Sequence, residues 1–236
     1  MSRAIVSLNC GSSSIKFAVF LWSMGNVERL VRGKIEGIGA APVLAAYGME
    51  KELLVQRAWE NGAGLTHEAL LDELFDWLFG HIASHEIVAG GHRVVHGGLR
   101  FDRPMMLDDA LLDALERLVP LAPLHQPHNL AGIRAISARA SEMPQVACFD
   151  TAFHHGRAEV AKRFALPREW HEKGIQRYGF HGLSYEYIAR ALRKADPELV
   201  RGRIIVAHLG NGASLCAMHD GRSVDTTMGF TALDGL

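Results

Sequence analysis

AIVSLNCGSSSIKFAVF, residues 4–20, is two apolar runs joined by a loop of small polar residues, the pattern of a strand, a turn and a second strand. Gly11 lets the backbone come close to a ligand. Ser12, Ser13 and Ser14 add hydroxyls beside exposed N–H groups, and Lys16 adds a positive charge. Such a loop suits a phosphate, although an ordinary hairpin turn draws on the same small polar residues.

The layout returns at IIVAHLGNGASLCAM, residues 204–218. Ile5, Val6, Ser14 and Ile15 have Ile205, Val206, Ser214 and Leu215 as counterparts at one constant offset. Ile, Val and Ser are common, so the shared strand-loop-strand layout says more than the identities. Two phosphate-type turns, one opening each half of the chain, suggest two related domains facing each other across a ligand.

Composition narrows the partners. The 236 residues are 48% hydrophobic with a mean hydropathy of +0.05, enough to bury one large core or two small ones. With 25 basic and 26 acidic residues the net charge is −1, and no basic run offers a field for nucleic acid or a membrane surface. A small-molecule partner is expected. Cys10, Cys148 and Cys216 are odd in number and widely spaced, so neither a disulfide framework nor a CxxC zinc pair is predicted. The N-terminus runs directly into a strand, and no apolar stretch reaches the length of a membrane span. The expectation is a soluble cytoplasmic protein.

Along the chain, strands are predicted near Asn26 to Glu36 and Val43 to Ala58, an antiparallel meander with Gly25 and Gly48 in its turns. Thr66 can cap a helix whose Leu70, Leu71, Leu74, Leu78 and Ile82 recur at helical spacing. A strand at Glu86 to Ala89 leads to GGHRVVHGG, residues 90–98. Asp108 opens a second helix that stops at Pro120, the loop APLHQPHNL (residues 122–130) follows, and a third helix runs over about 130–140. The strand Gln145 to Phe149 delivers Asp150 to a strand end, where ligands bind in open α/β sheets. Residues 157–164 and 184–194 look helical, and Asp220-Gly221 marks a tight hairpin turn. The pattern is α/β with a mixed sheet. Domains are expected at 1–150 and, starting afresh and stopping short, at 151–236.

Several chemistries fail on spacing. On a strand, His92 and His96 stand about 13 Å apart, too far to share an ion, and no acidic cluster has ligand spacing. No GxxxxGK[ST] loop occurs, Gly210-Asn211-Gly212 reaches Leu215 where a dinucleotide fingerprint needs glycine or alanine, and no GxSxG elbow is present. What remains are loop residues suited to an anion with both carboxylate and phosphate character. Arg93 offers a planar fork that matches a carboxylate, or a structural ion pair. Asp150 can position a metal or a nucleophilic oxygen, or cap a helix. His125 and His181 can stabilise developing negative charge or order their loops. Asn211 and Gly212 offer an amide and an open N–H, or a simple turn.

Taken in order, NCGSSSIKF (Asn9 to Phe17), GHRVVHGG (Gly91 to Gly98), APLHQPHNL, FDTAFH (Phe149 to His154), RYGFHG (Arg177 to Gly182), HLGNGAS (His208 to Ser214) and SVDTTMGFT (Ser223 to Thr231) resemble the successive signature blocks of the acetate kinase family, covering the chain from residue 4 onward. The resemblance implies the duplicated, ribonuclease H-like architecture of actin-like ATPases, with the second domain incomplete. It implies transfer of phosphate between ATP and acetate with Mg²⁺, giving acetyl phosphate and ADP, and a homodimer. Asn9 would stand on the metal side, with Ser12, Ser14 and Lys16 on the phosphate side. Arg93 would hold the substrate carboxyl, His125 and His181 the phosphoryl group, and Asp150 the acetate oxygen or a metal-bound water. His208, Asn211 and Gly212 would meet the nucleotide. Val95, Leu124 and Phe180 resemble the walls of the acetyl pocket. Ala232, where many members have proline, would loosen that pocket and admit propionate. Family members run beyond residue 236, to a second active-site arginine, an acidic Mg²⁺-linked residue and most of the adenosine pocket. The chain reads as an N-terminal portion, with a propionate kinase or a non-catalytic binding fragment as the alternatives.

Overall fold

The computed structural model describes residues 2–236 and divides the chain into two compact units. The first holds the chain up to Val94 with Met106–Glu116 and Pro123–Ala147; the second holds Val95–Met105, Arg117–Ala122 and Cys148–Leu236. The units are therefore not contiguous in sequence.

The first unit opens with a meander of β1 (Ser2–Cys10), β2 (Ser14–Ser23), β3 (Asn26–Glu36), β4 (Val43–Tyr47) and β5 (Leu53–Ala58). Helix α1 (His67–His81) follows, then β6 (His85–Val94), β7 (Met105–Met106), α2 (Asp109–Glu116), α3 (Gln126–Arg139) and β8 (Gln145–Phe149), of which Met105, Cys148 and Phe149 are counted with the second unit. The sheet order is β5-β4-β3-β2-β1-β6-β8-β7. Because β1 is antiparallel to β2 and parallel to β6, the sheet is mixed, as the sequence pattern predicts.

Period-two alternation puts Ala4, Val6, Leu8 and Cys10 of β1 on the same buried face as Ile15, Phe17 and Val19 of β2. Leu70, Leu71, Leu74, Phe75 and Leu78 of α1 and Ile136 of α3 complete that core. Each fully buried leucine contributes on the order of 1.5–3 kcal/mol. Helix α1 starts as expected, with Thr66 Oγ1 accepting from Ala69 N at 3.3 Å. Helix α3 begins earlier than expected, at Gln126, because Pro127 occupies its first turn, where a missing N–H costs nothing. It also lies tight on β1: a Cβ at Gly132 would stand 2.7 Å from Cys10 Sγ.

The second unit adds α4 (Glu159–Lys162), α5 (Arg168–Glu172), α6 (Gly182–Ala195), α7 (Pro197–Arg201) and the antiparallel strands β9 (Arg203–Leu209), β10 (Ala213–His219) and β11 (Arg222–Thr226), ordered β11-β10-β9. Tyr185 and Ala189 of α6 pack on Cys216 and Met218. The helix expected over 157–164 is a single turn. It buries no residue and leaves Val160 83% exposed, so no apolar face anchors more. No helix among the described residues is long and apolar enough to cross a membrane.

Candidate active site

In the first unit, strand register gathers residues far apart in sequence. Asn9 pairs with Lys16 on β2, and the parallel register Leu8 to His92 puts Arg93 next to Asn9 on β6. Directly opposed residues share a face, so Lys16, Asn9 and Arg93 form one row across three strands. Arg93 Nη1 donates to Asn9 Oδ1 at 3.0 Å. Residues 11–14 close the hairpin at the end of this row, with Ser12 and Ser13 exposed. Gly11 N donates to Ser14 O at 2.8 Å and Ile38 N to Ser13 O at 3.2 Å. No acceptor within the described residues takes the Ser12 or Ser13 N–H.

The loop is gripped from behind. Asn129 Nδ2 donates to Cys10 O at 2.6 Å, and His67 Nε2 donates to Gly11 O at 2.8 Å. The His67 ring stacks on His128, with centroids 4.2 Å apart and planes inclined by 27°. Burial first, then the neighbouring His67 and His125, hold the His128 imidazole below its ordinary value, and Glu68 opposes them. His125 is the N-cap residue of α3, and Leu124 beside it is 59% exposed.

The second unit carries the remaining candidates. Asp150 is buried at the end of β8, and its carbonyl accepts from Gly182 N at 2.8 Å where α6 begins. That helix has His181 as its N-cap residue, in the left-handed region at φ 60, uncommon for a side chain of this size. Ser214 Oγ lies 2.8 Å from His181 Nδ1 and also bonds the Tyr185 hydroxyl. The rings of His181 and His208 stack at 4.1 Å, and Ser184 Oγ meets His208 Nδ1 at 2.9 Å. A Cβ at Gly212 would stand 3.0 Å from His181 Nε2, so the glycine leaves room for that ring, while Asn211 beside it is exposed.

His154 and Arg157 hold the loop that carries His181. His154 Nε2 donates to Phe180 O at 2.9 Å and Nδ1 accepts from Ser223 at 2.8 Å; burial pushes this imidazole down to about 4. The buried Arg157 side chain donates to the carbonyls of His154, Arg177 and Tyr178. Val95 and Phe180 are almost fully buried in one apolar cluster with Ala122, Tyr178 and Met228, against which Phe230 and Ala232 pack.

The structure thus brings Asn9, Lys16 and Arg93 together in one unit, and Phe180, His181, His208 and Gly212 together in the other. His92 and His96 are structural. Burial pushes each down to about 4; His92 Nε2 donates to Gln145 Oε1 at 2.7 Å, and His96 Nδ1 accepts from Gly98 N at 2.8 Å. Sequence reasoning missed His67, Asn129, Ser184, Tyr185 and the role of Ser214. Of these, Asn129 and Ser214 lie inside quoted motifs, APLHQPHNL and HLGNGAS.

An acetate kinase from Nitrobacter hamburgensis is 48% identical over 99% of this chain and 58% of its own length. Among solved structures, a propionate kinase from Francisella tularensis superposes with a TM-score of 0.88 at 38% identity, covering 100% of this chain and 59% of its own. An acetate kinase from Porphyromonas gingivalis gives a TM-score of 0.80 at 34% identity, over 100% of this chain and 59% of its own. The chain therefore spans somewhat under three fifths of the length of these relatives. Residues 4–236 match the acetokinase family, and the chain belongs to that family.

Proposed function

We propose that the chain carries acetate kinase chemistry, the reversible transfer of the ATP γ-phosphate to acetate. A carboxylate oxygen attacks the γ-phosphorus, the bond to the β–γ bridging oxygen breaks, and acetyl phosphate and ADP result. The observation that carries the reading is the row of Lys16, Asn9 and Arg93 beside a serine loop with open N–H groups, in a chain whose similar proteins are named acetate kinase.

Such a reaction depends on positioned charge more than on covalent help from the protein. In this reading Arg93 holds the acetate carboxylate, and Ser12, Ser14 and Lys16 take phosphate oxygens. His125 and His181 donate to the transferring phosphoryl group, Asp150 orients the acetate oxygen, and His208, Asn211 and Gly212 meet the nucleotide phosphates. Val95, Leu124 and Phe180 wall the methyl group. Mg²⁺ belongs to the reading with Asn9 as its contact, but this donor set does not fit a metal site by itself. The Asn9 oxygen already accepts from Arg93, and no group of three or more His, Cys, Asp or Glu side chains among the described residues can hold an ion. A homodimer in the cytoplasm completes the reading.

Trapping acetyl phosphate as its hydroxamate tests the proposal. ATP- and acetate-dependent product is expected, with Arg93→Ala lowering kcat/KM by about a hundredfold. An active protein indifferent to Arg93→Ala removes the role given to Arg93, and phosphate binding without turnover identifies a binding fragment instead.

Propionate is the second reading, favoured by the place of Ala232 against the cluster of Val95 and Phe180. One methylene is worth only about 1–3 kcal/mol in an apolar pocket, so kcat/KM for acetate and propionate separates the two.

A further inference from the structure

We infer that His67 is a positioning residue for the loop at 11–14, setting the direction of the Ser12 N–H from outside the loop. This rests on the reading of that loop as the phosphate cradle.

A trans peptide is planar, with its C=O and N–H pointing in opposite directions. His67 Nε2 holds the Gly11 carbonyl at 2.8 Å, and that carbonyl belongs to the same peptide as the Ser12 N–H. Fixing one fixes the other, so the Ser12 N–H points away from His67, and no acceptor within the described residues takes it. The preceding peptide is set in the same way. Asn129 holds the Cys10 carbonyl at 2.6 Å, and the N–H on its far side, that of Gly11, closes the turn on Ser14 O. Without these two grips the carbonyls could turn outward, and a carbonyl oxygen facing the ligand would repel an anion.

His67 is itself held for the task. It is the first residue of α1, behind the Thr66 cap; it is buried, and its ring lies flat against His128 of α3. The two helices that cover the core thus each send one side chain to a neighbouring carbonyl of the loop. Neither side chain lies in the row of Lys16, Asn9 and Arg93, so their role is to orient rather than to touch the anion.

The test is a titration of the ¹⁵N-labelled chain with inorganic phosphate, reading the amide shifts of Ser12 and Ser13. His67→Phe keeps a ring for His128 to stack on and removes the donor. It is expected to weaken phosphate binding about tenfold with an otherwise unchanged spectrum, while His67→Gln, whose amide reaches the same carbonyl, stays within about threefold of the parent. If His67→Phe does not fold, His67→Gln and His67→Met, similar in size and differing in the donor, give the same comparison. Equal affinity in variants with and without the donor overturns the inference while leaving the phosphate loop in place. A parent chain whose Ser12 and Ser13 amides ignore phosphate overturns the loop reading and this inference together.

Discussion

In the hairpin of β1 and β2, Cys10 pairs with Ile15 across residues 11–14; in that of β9 and β10, Leu209 pairs with Ala213 across residues 210–212. The constant offset overlays Val6 on Val206 and Ser14 on Ser214. The pairing partners disagree, however, since Val6 meets Val19 whereas Val206 meets Cys216. An odd slip in register turns every side chain to the other face. Ile15 and Ser214 are accordingly the fully buried members, while Ser14 and Leu215 are half-buried. The shared layout is real, but residue-by-residue equivalence fails on the second strand. The supporting contacts also run in opposite directions. Side chains from two helices hold the first loop by its carbonyls, whereas the second hairpin uses Ser214 and the bare Gly212 to seat a histidine that belongs to a helix.

The largest expected divergence between the two regions is in acid. His92 beside β1, and His96 and His154 in the second unit, each protonate at about 4 when folded against an ordinary 6.5. The unfolded chain takes the proton first, so stability is whole above pH 6.5 and falls as pH drops towards 4. With two such histidines, the second unit should lose amide protection in β10 sooner than the first loses it in β1. Hydrogen exchange at pH 7 and pH 4.5 reads the difference, and equal losses would remove it.

A smaller effect is expected from Gly212→Val, which drives a side chain into the space of the His181 ring. A displacement near 1 Å costs about a hundredfold in turnover, so activity should fall by that order while the melting temperature holds. A normal rate would mean that the second loop does not seat the imidazole.

The smallest is a contrast of two serines. Ser214→Ala removes two hydrogen bonds at once, to the buried Tyr185 hydroxyl and to His181 Nδ1, and should cost about 1–3 kcal/mol in urea unfolding. Ser14→Ala should fall within about 0.5 kcal/mol of the parent and act on phosphate affinity instead. Matching losses of stability would restore the equivalence that the register denies.

What the sequence made legible followed from local rules. Strand β3 and strand β8 run over the predicted residues, and Thr66 and the Asp220-Gly221 turn act as their chemistry dictates, the latter with φ of 52 and 66. What it hid was of two kinds. The row of Lys16, Asn9 and Arg93 depends on β6 joining β1 in parallel, a pairing across more than eighty residues that no periodicity encodes. His67 and Asn129 act on backbone carbonyls, and any side chain with a donor of the right length can do that. Pro127 misled by its company, reading as part of a loop while starting a helix. The candidate residues of the motifs were visible; the residues that aim them were not.

His181 bears on how this protein can be improved. Its left-handed backbone costs on the order of 1 kcal/mol that glycine at the same position would recover. Glycine would also forfeit the Ser214 bond and the His208 stack, which offset that gain, so a search for heat tolerance alone has little to win at position 181. A library meant to keep the stacked imidazole as well should leave that codon fixed.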